Sequence, residues 1–227
     1  MIVDCVSDLH GHFPKLDGGD LLIIAGDLTK TDRKDEYEAF DAWLRDQQYR
    51  KKVVIAGNHD NHLQNGYKIK YGDYLQDSGI EFDGFKIWGS PWTKQFDHQN
   101  PKCMAFALET EQELANKWIL IPNDITILVT HSPPYGILDL INDNPITEWG
   151  QNPIKNHVGS SSLAAYIDLV KAPPKLWIFG HIHEGYGREE VIAGNIFRNG
   201  VHKIQALNAS HVNERYEPIN PPIRVLL

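Results

Sequence analysis

Five short apolar runs in this chain each end on residues that a buried strand alone would not select. Residues 2–6 lead into Ser7-Asp8, and "LLIIAGD" at 21–27, "KVVIAGNHD" at 52–60, "ITILVTHSPP" at 125–134 and "LWIFGHIHE" at 176–184 repeat the pattern. Runs of this length, rich in Ile, Val and Leu and bounded by turn residues, read as fully buried strands. Between the second and third, Tyr37, Phe40, Trp43 and Leu44 keep helical spacing among charged neighbours, which predicts an amphipathic crossover helix. Two more helices are expected, over residues 105–119 and over residues 160–171, where the serines supply an N-cap. Strands alternating with helices imply an α/β core in the first two-thirds of the chain.

The remainder reads differently. "IEFDGFKIWGS" at 80–90 predicts a hairpin about Asp83-Gly84, and beyond residue 185 "EVIAG", "NIFRN" and "HKIQALNAS" are short strand candidates with "AGN" and "RNG" as turns. The expected architecture is two stacked sheets with helices on their outer faces, in one domain spanning residues 1–227. Residues 91–104 and 133–157 are polar, proline-bearing and weakly periodic, and read as surface loops.

Composition narrows the function classes. Apolar residues make up 41% and charged residues 23%, so the chain reads as an ordinary folded domain, long enough at 227 residues for a large core. A formal charge of −8 argues against a protein that grips nucleic acid backbone, and no stable nucleic-acid binding is expected. The longest basic run, Arg50-Lys51-Lys52, reads as a cap on a helix end. With only Cys5 and Cys103 there is no disulfide framework, and Cys5 falls inside the first apolar run as a small buried thiol. "MIVDCVSDLHG" enters a strand without a secretory signal, and no apolar run is long enough to cross a bilayer. A reduced, cytoplasmic protein without a membrane partner is the expectation.

The strand ends carry the chemistry. Asp8 and His10, Asp27, Asn58 and His59, His131, and His181 and His183 each follow one of the apolar runs. In α/β sheets, ligands bind outside the carboxyl ends of strands, so these side chains should converge on one crevice. Residues two apart on an extended chain point the same way, which pairs Asp8 with His10 and His181 with His183. Carboxylates, an amide oxygen and imidazoles are donors for divalent metals, and there are more of them than one ion can use. Two ions are implied, and mixed N/O ligation suits manganese, iron, zinc, cobalt or nickel.

The set D-x-H, GD, GNH and a later His followed by G-H-x-H, spanning residues 8 to 183, resembles the calcineurin-like metallophosphoesterases. The resemblance implies a four-layer α/β/β/α sandwich with a dinuclear centre at the strand ends. It implies Asp8, His10 and His183 on one metal, Asn58, His131 and His181 on the other, and Asp27 bridging them. "GSPW" at 89–92, "THSPP" at 130–134, "FGHIHEGYG" at 179–187 and the later "NAS" and "NPPI" are similar to the metallophosphoesterase-domain-containing proteins. That likeness implies hydrolysis of phosphodiesters, cyclic nucleotides among them. The phosphoprotein phosphatases of the same superfamily carry G-D-x-x-D-R-G, where this chain has "GDLTKTD".

Charge and geometry suggest the mechanism. Two divalent ions, offset by Asp8, Asp27 and a bridging hydroxide, leave a net positive centre that draws in a phosphate. If Asn58 turns towards metal, His59 faces another way and is placed to protonate the leaving oxygen, with Asp60 as its orienting partner or as the cap of the next helix. Substrate contacts are expected from Asn58, His59, His12 and Trp92. Phe96, Tyr135 and Trp149 also sit in the irregular loops, where they either stack a base or pin the loop. The leading expectation is a phosphodiesterase acting on small nucleotides. Its rivals are a phosphomonoesterase or nuclease of the same fold, and a metal-bound scaffold without activity.

Overall fold

Strict alternation along the first strands decides how the layers stack. A computed structural model describes residues 1–96, 100–142, 155–193 and 201–227. The strands are β1 (Ile2–Val6), β2 (Gly19–Ala25), β3 (Tyr49–Ile55), β4 (Asp73–Tyr74), β5 (Ser78–Phe82), β6 (Phe85–Ser90), β7 (Thr93–Lys94), β8 (Ala107–Leu108), β9 (Ile127–Thr130), β10 (Leu140–Asn142), β11 (Lys155–His157), β12 (Leu176–Phe179), β13 (Gly187–Ala193), β14 (His202–Asn208) and β15 (Ile223–Leu226). The helices are α1 (Lys34–Asp46), α2 (Asn61–Gln64), α3 (Glu111–Trp118) and α4 (Ser161–Leu169).

One sheet has the order β15-β1-β2-β3-β4 and the other the order β13-β14-β12-β9-β6-β5. β1 to β4 run parallel, as do β6, β9, β12 and β14, while β5, β13 and β15 pair antiparallel at the edges. Val3, Cys5, Leu21, Ile23, Val53 and Ile55 point from the first sheet onto Ile87, Ile127, Val129, Ile178 and Leu207 of the second, forming the central core. The alternate residues Leu22, Ile24 and Val54 face outward and are covered by Tyr37, Phe40 and Leu44 of α1. On the far side Leu128, Trp177, Phe179 and Ala206 pack under Leu114 and Trp118 of α3 and Leu163 and Ile167 of α4. Each large side chain fully buried in these layers contributes about 1.5–3 kcal/mol relative to exposure. The result is the α/β/β/α sandwich that the sequence motifs implied.

Several boundaries differ from the sequence expectation, each for a local reason. The helix expected over 105–119 starts only at Glu111, because Thr110 and Glu113 form a reciprocal capping box. The residues before it include β8, which pairs with β7. The segment 133–157 is not simply a loop, since β10 and β11 pair antiparallel within it. Arg50, Lys51 and Lys52 lie in β3, where Arg50 pairs with Asp83 at 2.6 Å and Lys51 with Asp73 at 2.8 Å. Lys52 still caps a helix, from the neighbouring strand, by donating to the Leu44 and Arg45 carbonyls at the end of α1. The β5–β6 hairpin turns at Asp83 and Gly84, both with positive φ, the signature of a type I′ turn. The expected strand "NIFRN" and turn "RNG" lie outside the described residues, as do most of the turn "AGN", His98 and Trp149.

Candidate metal centre

The parallel strands of both sheets end at the same edge of the sandwich, and the chain turns sharply there. The turns, rather than strand alternation, aim the side chains. Asp8, His10, Asp27 and His181 all have positive φ, between 43° and 69°, and lie beyond the last residues of β1, β2 and β12. Left-handed backbone is uncommon outside glycine, so four such residues at one edge mark a constrained site. Cross-strand bonds hold the turns in register: Asp8 N–H donates to the Gly26 carbonyl at 2.9 Å and His10 N–H to the Asp27 carbonyl at 3.0 Å.

Glycine in the motifs has a steric reason. A Cβ at Gly180 would lie 2.0 Å from Asp8 Oδ2, and one at Gly57 would lie 2.3 Å from Asp27 Oδ1. Both positions must stay bare for a carboxylate of the opposing loop to fit.

The hydrogen bonds set the tautomers. His131 Nδ1–H donates to the Ala25 carbonyl at 2.9 Å, which leaves a lone pair on Nε2, 3.1 Å from Asn58 Oδ1 and 3.5 Å from Asp27 Oδ1. Asn58 Nδ2 donates to the Cys103 carbonyl at 3.2 Å, and this fixes Oδ1 inward. On the other side His183 Nδ1–H donates to the Asn213 carbonyl at 3.0 Å, and Nε2 faces His10 Nε2 at 3.3 Å and Asp8 Oδ1 at 3.4 Å. His10 Nε2 lies 3.6 Å from Asp27 Oδ2. Asp27 thus turns one oxygen to each side.

Buried lone pairs gathered this closely repel one another unless a proton or a metal ion lies between them. Among the described residues, three groups have ligand atoms within 4.8 Å of one another: Asp8, His10 and His183; Asp8, Asp27 and His131; and His10, Asp27 and His59. Burial pushes His10 and His181 down to about 3, into the neutral form that ligates metal. At His131 the burial cost is outweighed by the Asp27 carboxylate, which pushes the imidazole up to about 9, so a proton can fill the place a cation would take. The buried atoms without a hydrogen-bond partner among the described residues include His10 Nδ1 and His181 Nε2. His181 is the candidate ligand least engaged: it belongs to none of the three groups, while Phe96 stacks on its ring at 5.2 Å. The donor set is one that divalent cations accept.

The other candidates fall into two sets. His59 N–H donates to Asp27 Oδ1 at 2.8 Å, its Nδ1–H to the Lys30 carbonyl at 3.1 Å, and its ring meets His10 edge-on at 4.5 Å. It lines a cavity of about 520 Å³ together with Asp27, Asn58, His181 and His183. Asp60 does not orient the His59 ring, whose Nδ1 is already engaged by Lys30, and makes no side-chain cap on α2. Its buried carboxylate accepts from Gly57 N, Leu28 N and both Thr29 N and Oγ1, at 2.9–3.2 Å, and so ties the Asp27 loop to the Asn58 loop. Burial and the nearby Asp27 charge push that carboxyl up to about 7. His12 and Trp92 are not among the residues that line the cavity. Trp92 donates its indole N–H to Asp77 at 2.7 Å and lies under Lys117, with Nζ 3.7 Å from the ring centroid. Of the loop aromatics, Phe96 reaches the cavity, whereas Tyr135 lies beside His157 at 5.3 Å.

The C-terminal segment supplies parts that motif reading missed. Ser210 Oγ donates to Asp8 Oδ2 at 2.8 Å, and Asn208 Nδ2 donates to the Ile182 carbonyl at 2.8 Å, so "NAS" braces the centre and is more than a turn. In the sequence "NAS" stands out by resemblance and by the buried-strand pattern that leads into it, and neither names Asp8 as the partner of Ser210.

A sandwich that gathers carboxylate, amide and imidazole lone pairs at the carboxyl ends of its strands defines a class of protein built to hold divalent cations. Residues 1–185 match the family model of the calcineurin-like phosphoesterases, and the chain belongs to that family of phosphoester hydrolases. It is 33% identical to human metallophosphoesterase domain-containing protein 1, over 96% of this chain and 68% of that protein. It is also 36% identical, over 83% of its length, to a probable rhamnogalacturonate lyase C of Emericella nidulans, of which the match covers 18%. A UPF0046 protein of Caenorhabditis elegans is 32% identical over 81% of this chain and 51% of its own length.

Proposed function

We propose that this chain is a phosphodiesterase that holds two divalent ions and acts on small nucleotide or cyclic nucleotide diesters. The observation that carries the two-ion reading is Asp27, whose Oδ1 faces His131 and whose Oδ2 faces His10. Asp8, His10 and His183 would hold one ion and Asn58, His131 and His181 the other, with Asp27 shared. When bound, such ions supply positive charge that attracts a phosphoryl group and lower the pKa of water. The remaining chemistry belongs to the chain. His59, with Nδ1–H held by the Lys30 carbonyl, presents Nε2 to the cavity, where in its protonated form it can donate to the leaving oxygen. Asp60 keeps the two loops in place.

The preference for a diester is an argument about charge. A monoester dianion is normally gripped by arginine forks added to the metals. Among the described residues the cavity is lined by one lysine, Lys30, and no arginine, and, besides the candidate ligand Asp27, by two further acidic side chains, Glu184 and Glu214. Arg33 is turned to Asp35 at 2.6 Å, and Arg188 lines a different cavity with Lys175 and Glu190. A diester carries one negative charge, which the metal centre can balance without further cations, whereas long nucleic acid meets an acidic rim on a chain of net charge −8.

The test is kcat/KM for bis-p-nitrophenyl phosphate against p-nitrophenyl phosphate, with the protein loaded in turn with manganese, iron, zinc, cobalt and nickel. A higher value for the diester is expected. Equality, or the reverse order, overturns the diesterase reading in favour of a phosphatase, and no hydrolysis with any metal favours a scaffold.

A further inference from the structure

The family model ends at residue 185, yet the C-terminal segment beyond it places a tyrosine over the centre. Tyr216 packs edge-on against His10 at 4.8 Å and His183 at 5.3 Å, and lies 6.3 Å from His59. It touches both a candidate ligand set and the candidate proton donor. Its ring lines the same cavity, with 39% of the residue exposed, and its hydroxyl has no hydrogen-bond partner among the described residues.

The backbone at Tyr216 is strained. Its φ is +62°, a left-handed conformation that is unfavourable for a bulky residue and open to glycine. Asn213 enforces it. Asn213 Oδ1 accepts from Arg215 N and Glu217 N, its Nδ2 donates to Glu217 Oε2, and its carbonyl accepts from Tyr216 N, all between 2.7 and 2.9 Å. That same carbonyl accepts from His183 Nδ1, so one residue positions both a candidate ligand and the tyrosine. A strained, braced turn holding an aromatic side chain against the centre, with its hydroxyl unpaired, is what a ligand contact needs and a purely structural turn does not.

We infer that Tyr216 is a substrate-binding residue, whose hydroxyl donates a hydrogen bond to a phosphoryl oxygen of the bound ester or product and whose ring bounds the cavity on the side of His10 and His183. The inference rests on the metallophosphoesterase reading of the centre. A neutral donor suits a monoanionic diester, because it adds a contact without adding charge. The bond goes from an uncharged donor to an anion, so its loss should weaken binding about tenfold or more.

The experiment compares Tyr216→Phe with the unaltered chain, both loaded with manganese. Titration calorimetry with inorganic phosphate and with diethyl phosphate reads the hydroxyl directly, elemental analysis and thermal melting report on the centre and the fold, and bis-p-nitrophenyl phosphate kinetics give KM and kcat. The expected result is a Kd for both anions raised about tenfold and KM raised similarly, with metal content and melting unchanged. Unchanged Kd and KM overturn the inference while leaving the hydrolase reading intact. Lost metal or a lowered melting temperature also overturns it, since the tyrosine would then be part of the scaffold. If the unaltered chain hydrolyses nothing but binds anions more tightly than Tyr216→Phe, the inference holds and the hydrolase reading fails. If the unaltered chain neither binds these anions nor hydrolyses the diester, both fall.

Discussion

The two sides of the centre are not equally prepared. On the side of Asp8, His10 and His183, all three ligand atoms already lie within 4.8 Å of one another, with His183 fixed by the Asn213 carbonyl and Asp8 by Ser210 and the His181 amide. On the side of Asn58, His131 and His181, the first two meet at 3.1 Å, but His181 keeps a buried Nε2 without a partner among the described residues. The difference teaches that convergence of residues does not guarantee equal readiness. Each side has one imidazole with an unpartnered ring nitrogen among the described residues, His10 and His181, so the difference is one of how far the ligand atoms have converged: the three of the first side are already gathered, whereas His181 joins no such group and must reorient to reach an ion. The first side should therefore bind its ion more tightly than the second, which a metal titration followed by calorimetry would resolve as two steps.

The most damaging change should be Asp27→Ala, because this carboxylate faces both sides at 3.5–3.6 Å. Both ions and essentially all hydrolysis should be lost. Retention of one tightly bound ion, by elemental analysis, would show that the sides are independent. Next come His183→Ala and His181→Ala, each expected to leave about one ion per chain by the two-ion reading. They should differ in which step of the titration disappears, the tighter for His183 and the weaker for His181, and the same step lost in both would break the comparison.

His59→Ala lies outside both ligand sets and should keep both ions while slowing turnover by about 10²–10⁴-fold, most for poor leaving groups. Full metal content with unchanged rates on a poor leaving group would remove His59 from the mechanism. The smallest effect should come from Ser210→Ala, which deletes one hydrogen bond to Asp8. A loss of about 1 kcal/mol in stability and about tenfold in affinity for the tighter ion is expected, with the weaker step unmoved. Equal weakening of both steps would mean that Asp8 serves the two sides alike, as its place in the group with Asp27 and His131 permits.

Much of this is legible in the sequence. The five apolar runs became β1, β2, β3, β9 and β12, and the apolar spacing of Tyr37, Phe40 and Leu44 became the buried face of α1. The acidic and imidazole residues after those runs were brought to one edge because parallel strands all end there. The reason given for the pairing of Asp8 with His10 was nevertheless incorrect: these residues stand in left-handed turns, where alternation does not apply. Asp60 was legible as a special residue but not in its role, since its four donors come from loops about thirty positions apart as well as from its own turn. Trp92 looked like a loop aromatic near a site, and only the fold shows its N–H engaged by Asp77.

The sequence by itself determined the layers and the candidate ligands, because burial periodicity and the glycines before Asp27, Asn58 and His181 are local requirements that a strand end satisfies on its own. Only the tertiary structure decided which lone pairs face each other, that Lys30 sets the tautomer of His59, and that Ser210, Asn213 and Tyr216 close the centre from the far end of the chain. These contacts join segments as much as about two hundred positions apart, 202 for Ser210 and Asp8, and no local pattern encodes a partner that arrives by the stacking of two sheets.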